Sequence, residues 1–207
     1  MSKLLQYDYI QVGDTIDKVI VAIHGWQGDK TSMNPIIRML KIENTGYYLL
    51  EAPYTVDQGE GRSWSYKKSN GMWEVKEPKK LLQNFFSFLF DKFSSENIYV
   101  VGFSQGAMVC LEFVLFLDYK LGGVFPICGF LRQPELNINR IHPIQKNTPI
   151  LIGHGEEDNI VPAVSSQIAY DLLSEQGANV ELVLYRGRHK ISVDYMKKMK
   201  KIIENEN

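Results

Sequence analysis

Short apolar runs recurring between stretches of helical spacing constrain this chain more than any other feature of its sequence. Lys18–Ile23, Tyr47–Leu50, Ile98–Val101, Gly123–Ile127 and Pro149–Ile152 are too short for stable helices and carry few polar residues, the pattern of strands buried on both faces. Asn179–Tyr185 adds a sixth run with a more alternating pattern. Residues 31–42, 77–93, 105–118, 162–176 and 190–204 have helical spacing, and the last sets Ile191, Tyr195, Met199 and Ile202 on one face. Parallel strands need crossover connections, and helices supply them. The expectation is therefore an α/β chain with a mostly parallel central sheet, helices on both faces, and active groups at the C-terminal strand ends.

No repeat, low-complexity tract or linker interrupts the 207 residues, so 1–207 reads as a single domain. The exception to the rhythm is the segment from Tyr54 to Lys76. It holds two of the three tryptophans, Trp64 and Trp73. A stretch this long without regular structure is usually functional, and it reads either as a surface loop pinned by buried aromatics or as a wall of a substrate pocket.

The balance of 23 Lys and Arg against 24 Asp and Glu leaves no broad basic field for a phosphate backbone, which argues against nucleic acid as a partner. Lys197, Lys198, Lys200 and Lys201 read as the solvated face of a terminal helix. The N-terminus turns polar before a signal-peptide core of about 7 apolar residues accumulates, and no run approaches the ~18 of a membrane span. The expected location is cytoplasmic, without stable membrane insertion. Cys110 and Cys128 have no nearby His or Cys at zinc spacing, so no metal, cofactor or disulfide is expected and both read as small buried hydrophobes.

Gly102-Phe103-Ser104-Gln105-Gly106 is the strongest chemical signal, because this G-x-S-x-G pentapeptide follows an apolar strand directly and precedes a helical stretch directly. A serine in so sharp a turn projects its hydroxyl above the sheet, with a helix N-terminus behind it that favours developing negative charge. Serine needs a base to act as a nucleophile, and the base needs an orienting acid. Among four histidines, His142 lies in a polar loop, while His24 and His154 close buried strands. His189 is left as the base, in the loop between the last strand and the final helix. Gly153–Pro162 supplies the acid: Asp158 is preferred, with Glu156 and Glu157 as alternatives, since Val161-Pro162 then suits the entry to a helix. The chain order Ser104, Asp158, His189 is that of an α/β-hydrolase. Oxyanion donors are expected from the backbone amide of Gln105 and from the Gly-rich loop His24–Asp29, with Trp26 favoured there.

Taken together, His24-Gly25 with Gly28-Asp29, Gly102–Ala107, His154-Gly155 with Asp158 and Val161-Pro162, and His189 resemble the phospholipase/carboxylesterase family of small, lidless α/β-hydrolases, which includes acyl-protein thioesterases. The resemblance runs from about Lys18 to the C-terminal helix. It implies an α/β-hydrolase fold with no large cap domain, nucleophile, acid and base roles for Ser104, Asp158 and His189, and an oxyanion amide on Gln105. The first loop departs from the family pattern by carrying Trp26-Gln27, which leaves the second oxyanion donor open between those two residues. The expected activity is a serine carboxylesterase or thioesterase acting on a small-molecule ester or acyl thioester. A dienelactone-type, lactone-type or other hydrolase on the same scaffold, and a noncatalytic binding protein that keeps the fold, are the alternatives. Trp64, Met72, Trp73, Phe130 and Leu131 are candidates for an apolar acyl pocket, whose rim would also suit a homodimer surface.

Overall fold

Side chains alternate across a strand, and here the alternation feeds two cores. In the computed structural model, which describes residues 4–56, 59–132 and 141–205, the strand Lys18–Ile23 sends Val19, Val21 and Ile23 into one core and Ile20 and Ala22 into the other. Met1–Lys3, part of the N-terminal stretch considered above, lie outside the described residues.

A seven-stranded sheet contains β1 (Tyr7–Val12), β2 (Lys18–Ile23), β3 (Thr45–Leu50), β4 (Ile98–Phe103), β5 (Gly123–Ile127), β6 (Ile150–Gly155) and β7 (Val180–Tyr185). Their spatial order is β1-β3-β2-β4-β5-β6-β7. Only β1 runs antiparallel to its neighbour; the other pairs are parallel. β1 was not anticipated from the sequence. It lies at the sheet edge and is half exposed, with Tyr9 paired to Tyr48.

Helices cover both faces. α2 (Lys76–Phe90), α3 (Gln105–Glu112) and α4 (Val164–Glu175) pack on one core through Leu81, Phe85, Phe86, Leu111 and Leu173. α1 (Asn34–Leu40) and α5 (Val193–Glu204) cover the other through Ile37, Leu40, Tyr195 and Met199. Each expected helix spans fewer residues than its spacing suggested, and two of them give way to 3-10 turns. The first begins as a 3-10 turn at Lys30–Met33, and the third stops at Glu112 before a second such turn at Val114–Phe116.

The α5 lysines form a solvated face: Lys197 pairs with Asp194 at 3.1 Å, Lys200 with Glu204 at 3.7 Å, and Lys198 with Glu181. Cys110 and Cys128 are buried and unbridged. Among the described residues no helix is long and apolar enough to cross a membrane.

The segment after β3 is braced by small strand pairs, Tyr54–Thr55 with Arg62–Ser63 and Tyr66–Lys67 with Trp73–Glu74.

Candidate active site

Between β4 and α3, Ser104 adopts φ 54° and ψ −114°, a conformation an L-residue holds only when its surroundings enforce it. The enforcement is visible. A Cβ on Gly102 would stand 2.3 Å from Gly106 O, and one on Gly106 would stand 2.1 Å from Ile23 O, so only glycines let strand and helix approach this closely. Ser104 N–H donates to Ile127 O at 2.8 Å, fixing the turn to β5. Gln105 is the first residue of α3, so its N–H belongs to the amides that lack an intrahelical acceptor.

The loop after β2 approaches from the other side. His24 is fully buried, with Nδ1 2.6 Å from Gly25 O while Nε2 accepts from Ala52 N at 3.1 Å. A carbonyl can only accept, so Nδ1 carries the proton and the ring is neutral; burial lowers its pKa. Asp29 caps the following turn, accepting from Thr31 N at 2.8 Å and Ser32 N at 3.0 Å. Gln27 N–H donates to Arg62 O at 3.0 Å and Gly28 N–H to Gly25 O at 3.1 Å. That commitment of Gln27 leaves Trp26 as the better candidate of the two for an oxyanion donor.

At the ends of β6 and β7, the structure brings Asp158 and His189 together: His189 Nδ1 lies 2.6 Å from Asp158 Oδ2. The His189 ring is 4.8 Å from that of Phe103, the residue preceding Ser104. Asp158 Oδ1 accepts from the amides of Ile160 and Val161 at 2.9 and 3.0 Å. Burial pushes the carboxyl pKa up, but the hydrogen bonds from His189 and these amides outweigh it and hold it below its ordinary value. Glu156 and Glu157 are exposed, and Glu157 lies 3.7 Å from Arg186.

From the sequence, His154 reads as a residue closing a buried strand, with no part beside Asp158. Its Nδ1 lies 2.6 Å from Ser166 Oγ, and its Nε2 lies 2.8 Å from Val161 O and 3.2 Å from Asp158 Oδ2. The Val161 carbonyl assigns the proton to Nε2, which also points it at Asp158. Its position closing an apolar strand was the available signal, and it reads equally well as packing.

Cys128, Asp158 and His189 place potential ligand atoms within 4.8 Å of one another. The 2.6 Å separation of Asp158 Oδ2 and His189 Nδ1 is shorter than the roughly 3.3 Å that two ligands keep around a tetrahedral zinc. The pair is therefore arranged as hydrogen-bond partners, with the Cys128 thiol, its pKa raised by burial, packed beside them.

A cleft of about 970 Å³ opens over Ser104, lined by Trp26, Tyr54, Tyr66, Trp73, Phe130 and Ile160 among others. Trp73 and Phe130 thus face it. Trp64, Met72 and Leu131 do not, which corrects three of the pocket expectations. Trp64 is 1% exposed and packs in the core, where its indole N–H donates to His24 O at 3.0 Å. Met72 sits in the turn joining a hairpin and is 61% exposed. Leu131 faces a separate small cavity with Leu111 and Ile141. In the 54–76 segment, Trp64 is buried against the core while Tyr54, Tyr66 and Trp73 wall the cleft.

A parallel sheet carrying a strained serine elbow, with an Asp–His pair on the loops after its last two strands, defines an α/β-hydrolase. The family model described as phospholipase/carboxylesterase matches residues 10–207, and the chain belongs to that family. It is 38% identical over 90 residues to acyl-protein thioesterase 1 of Kluyveromyces lactis, a match spanning 42% of this chain and 40% of the thioesterase. The chain thus spans well under half the length of that curated relative. Among solved structures, a phospholipase/carboxylesterase of Dyadobacter fermentans superposes with a TM-score of 0.77 at 26% identity, over 98% of this chain and 99% of its own. Esterase PE8 shares the fold, with a TM-score of 0.85 at 21% identity over 98% and 99% of the two chains.

Proposed function

We propose that this chain is a serine hydrolase of the carboxylesterase/thioesterase type, working as one domain in the cytoplasm on small-molecule esters or acyl thioesters. The observation that carries the reading is the Asp158–His189 hydrogen bond, with the His189 ring 4.8 Å from that of Phe103 next to the strained Ser104 turn, and a largely apolar cleft that Ser104 lines. In this mechanism Ser104 Oγ attacks the carbonyl carbon while His189 Nε2 accepts the hydroxyl proton. The amides of Gln105 and Trp26 stabilise the oxyanion. Collapse of the tetrahedral intermediate breaks the bond to the leaving oxygen or sulfur, which takes the proton from His189. Water then enters, loses a proton to the same nitrogen, and releases the acid by the reverse route. Asp158 holds the imidazole in the tautomer with Nδ1 protonated and stabilises its charged form.

Hydrolysis of p-nitrophenyl esters from acetyl to long acyl, with wild type beside Ser104→Ala, tests the reading. The expected outcome is turnover that drops by at least about 10⁴-fold in the mutant, with the preferred chain length reporting how much acyl group the cleft accepts. A folded wild type that neither turns over nor reacts with a fluorophosphonate would put the noncatalytic alternative first.

A further inference from the structure

One short stretch, Gly61–Ser65, is hydrogen-bonded to both sides of the proposed oxyanion site. Towards the loop after β2, Arg62 N–H donates to Gly28 O at 2.8 Å and Arg62 O accepts from Gln27 N–H at 3.0 Å. The neighbouring Gly61 has φ +102°, and a Cβ there would meet Gln27 O at 2.1 Å, so the stretch presses directly on the loop. Trp64 adds the bond from its buried indole to His24 O.

Towards α3, the partner is the side chain of Gln105, itself only 7% exposed. Its Oε1 accepts from Trp64 N–H at 2.8 Å, and its Nε2 lies 3.0 Å from Ser63 Oγ and 3.3 Å from Ser65 Oγ. Ser63 spends its own proton on Ser65 O at 2.6 Å, so its oxygen is the acceptor for the amide. Burying a primary amide is costly unless its donors and acceptors are met. Here they are met by three consecutive residues of a segment about forty positions away. The backbone N–H of Gln105 and the loop carrying Trp26 are thereby tied to the same five residues.

We infer that Gly61–Ser65 is a clamp that fixes the spacing between the two oxyanion amides, with the Gln105 side chain and Trp64 as positioning residues. The inference rests on the serine hydrolase reading. A donor displaced by a few tenths of an ångström weakens its bond to the oxyanion, which exists only in the transition state and intermediate, and leaves ground-state binding nearly untouched. Loosening the clamp therefore lowers kcat without raising KM.

Trp64→Phe removes the indole N–H and keeps a buried ring; Gln105→Met removes the amide and keeps length and the backbone N–H; Ser63→Ala removes one hydroxyl. Each is compared with wild type on p-nitrophenyl acetate and against a trifluoromethyl ketone, which adds to the serine and places its own oxyanion between the donors. The expected result is a kcat lowered about tenfold or more with KM within about twofold, and a Ki for the ketone raised by the same factor as kcat falls. Folding is checked by circular dichroism, and Ser63→Ala and Trp64→Phe carry the test if Gln105→Met does not fold. Folded variants with wild-type kcat, or with a lowered kcat but unchanged ketone affinity, overturn the clamp. Ser104→Ala separates the two levels: turnover surviving that mutation sinks the serine mechanism itself, whereas its loss alongside unaffected clamp variants sinks the clamp alone.

Discussion

Asp158 accepts hydrogen bonds on both carboxylate oxygens, from two backbone amides on Oδ1 and from His189 on Oδ2. Asp158→Asn keeps the shape but aims either an amide N–H or a weaker acceptor at His189, so the imidazole loses the partner that fixes its tautomer. We expect kcat to fall by roughly 10⁴-fold, while Glu156→Gln and Glu157→Gln, both on exposed side chains, stay within about twofold. Steady-state kinetics of the three variants on one ester decides it, and a large loss at either glutamate would move the acid role. The sequence favoured Asp158 because Val161-Pro162 suited a helix entry; α4 begins slightly later, at Val164 after the N-cap Ala163, and Asp158 is the carboxylate that lies 2.6 Å from His189 Nδ1. What sets Gln27 apart from Trp26 was not legible, because it is a backbone bond from Gln27 to Arg62. No local pattern marks a partner thirty-five residues ahead.

Elements were legible where burial on both faces left an unbroken apolar run, as in β2, β4 and β5, and where glycine or proline closed it. β1 escaped because Asp8 and Gln11 interrupt its pattern and Tyr9 and Ile10 face solvent, at 41% and 37% exposure; its pairing with β3 holds it, not its own composition. The strand pair of Tyr54–Thr55 with Arg62–Ser63 escaped for a related reason, since its anchors are the buried Gln105 amide and the adjoining Trp64 rather than any periodicity. The face of α5 was legible, and the structure adds how it is fastened: Tyr195 O–H donates to Leu151 O at 2.6 Å, and its ring fills the space over Gly153, where a Cβ would meet it at 2.5 Å. Tyr195→Phe leaves that carbonyl short of a partner in a dry core, at a cost of about 1–3 kcal/mol. Gly153→Ala forces ring and sheet apart and should be the more damaging substitution. Urea unfolding midpoints would rank the two, and equal midpoints would show that the sheet yields more easily than its packing implies.

At the scale of the whole molecule, the polar groups that hold the site together include two histidines buried in their neutral forms, His24 under the loop after β2 and His154 under the loop after β6. Burial lowers the pKa of both below the ordinary value. In the unfolded chain each takes up a proton as the pH falls through about 6.5, whereas the folded protein resists doing so. The unfolded state then binds more protons, so stability is complete above that pH and declines below it, with a limiting slope of up to about 1.4 kcal/mol per pH unit for each ring. The lowered pKa of Asp158 acts in the same direction but in a separate window, around and below pH 4, where carboxylates titrate. Thermal melts between pH 7.5 and 5.5 should therefore show Tm falling by up to about 6–12 °C. His24→Gln, which retains an acceptor for Ala52 N–H, should be less stable at pH 7.5 but show a shallower dependence, because one of the two proton-linked sites is gone. A Tm that is flat over this range in wild type, or a slope unchanged in His24→Gln, would mean that these rings accept protons in the folded state and that the loops they support open to water.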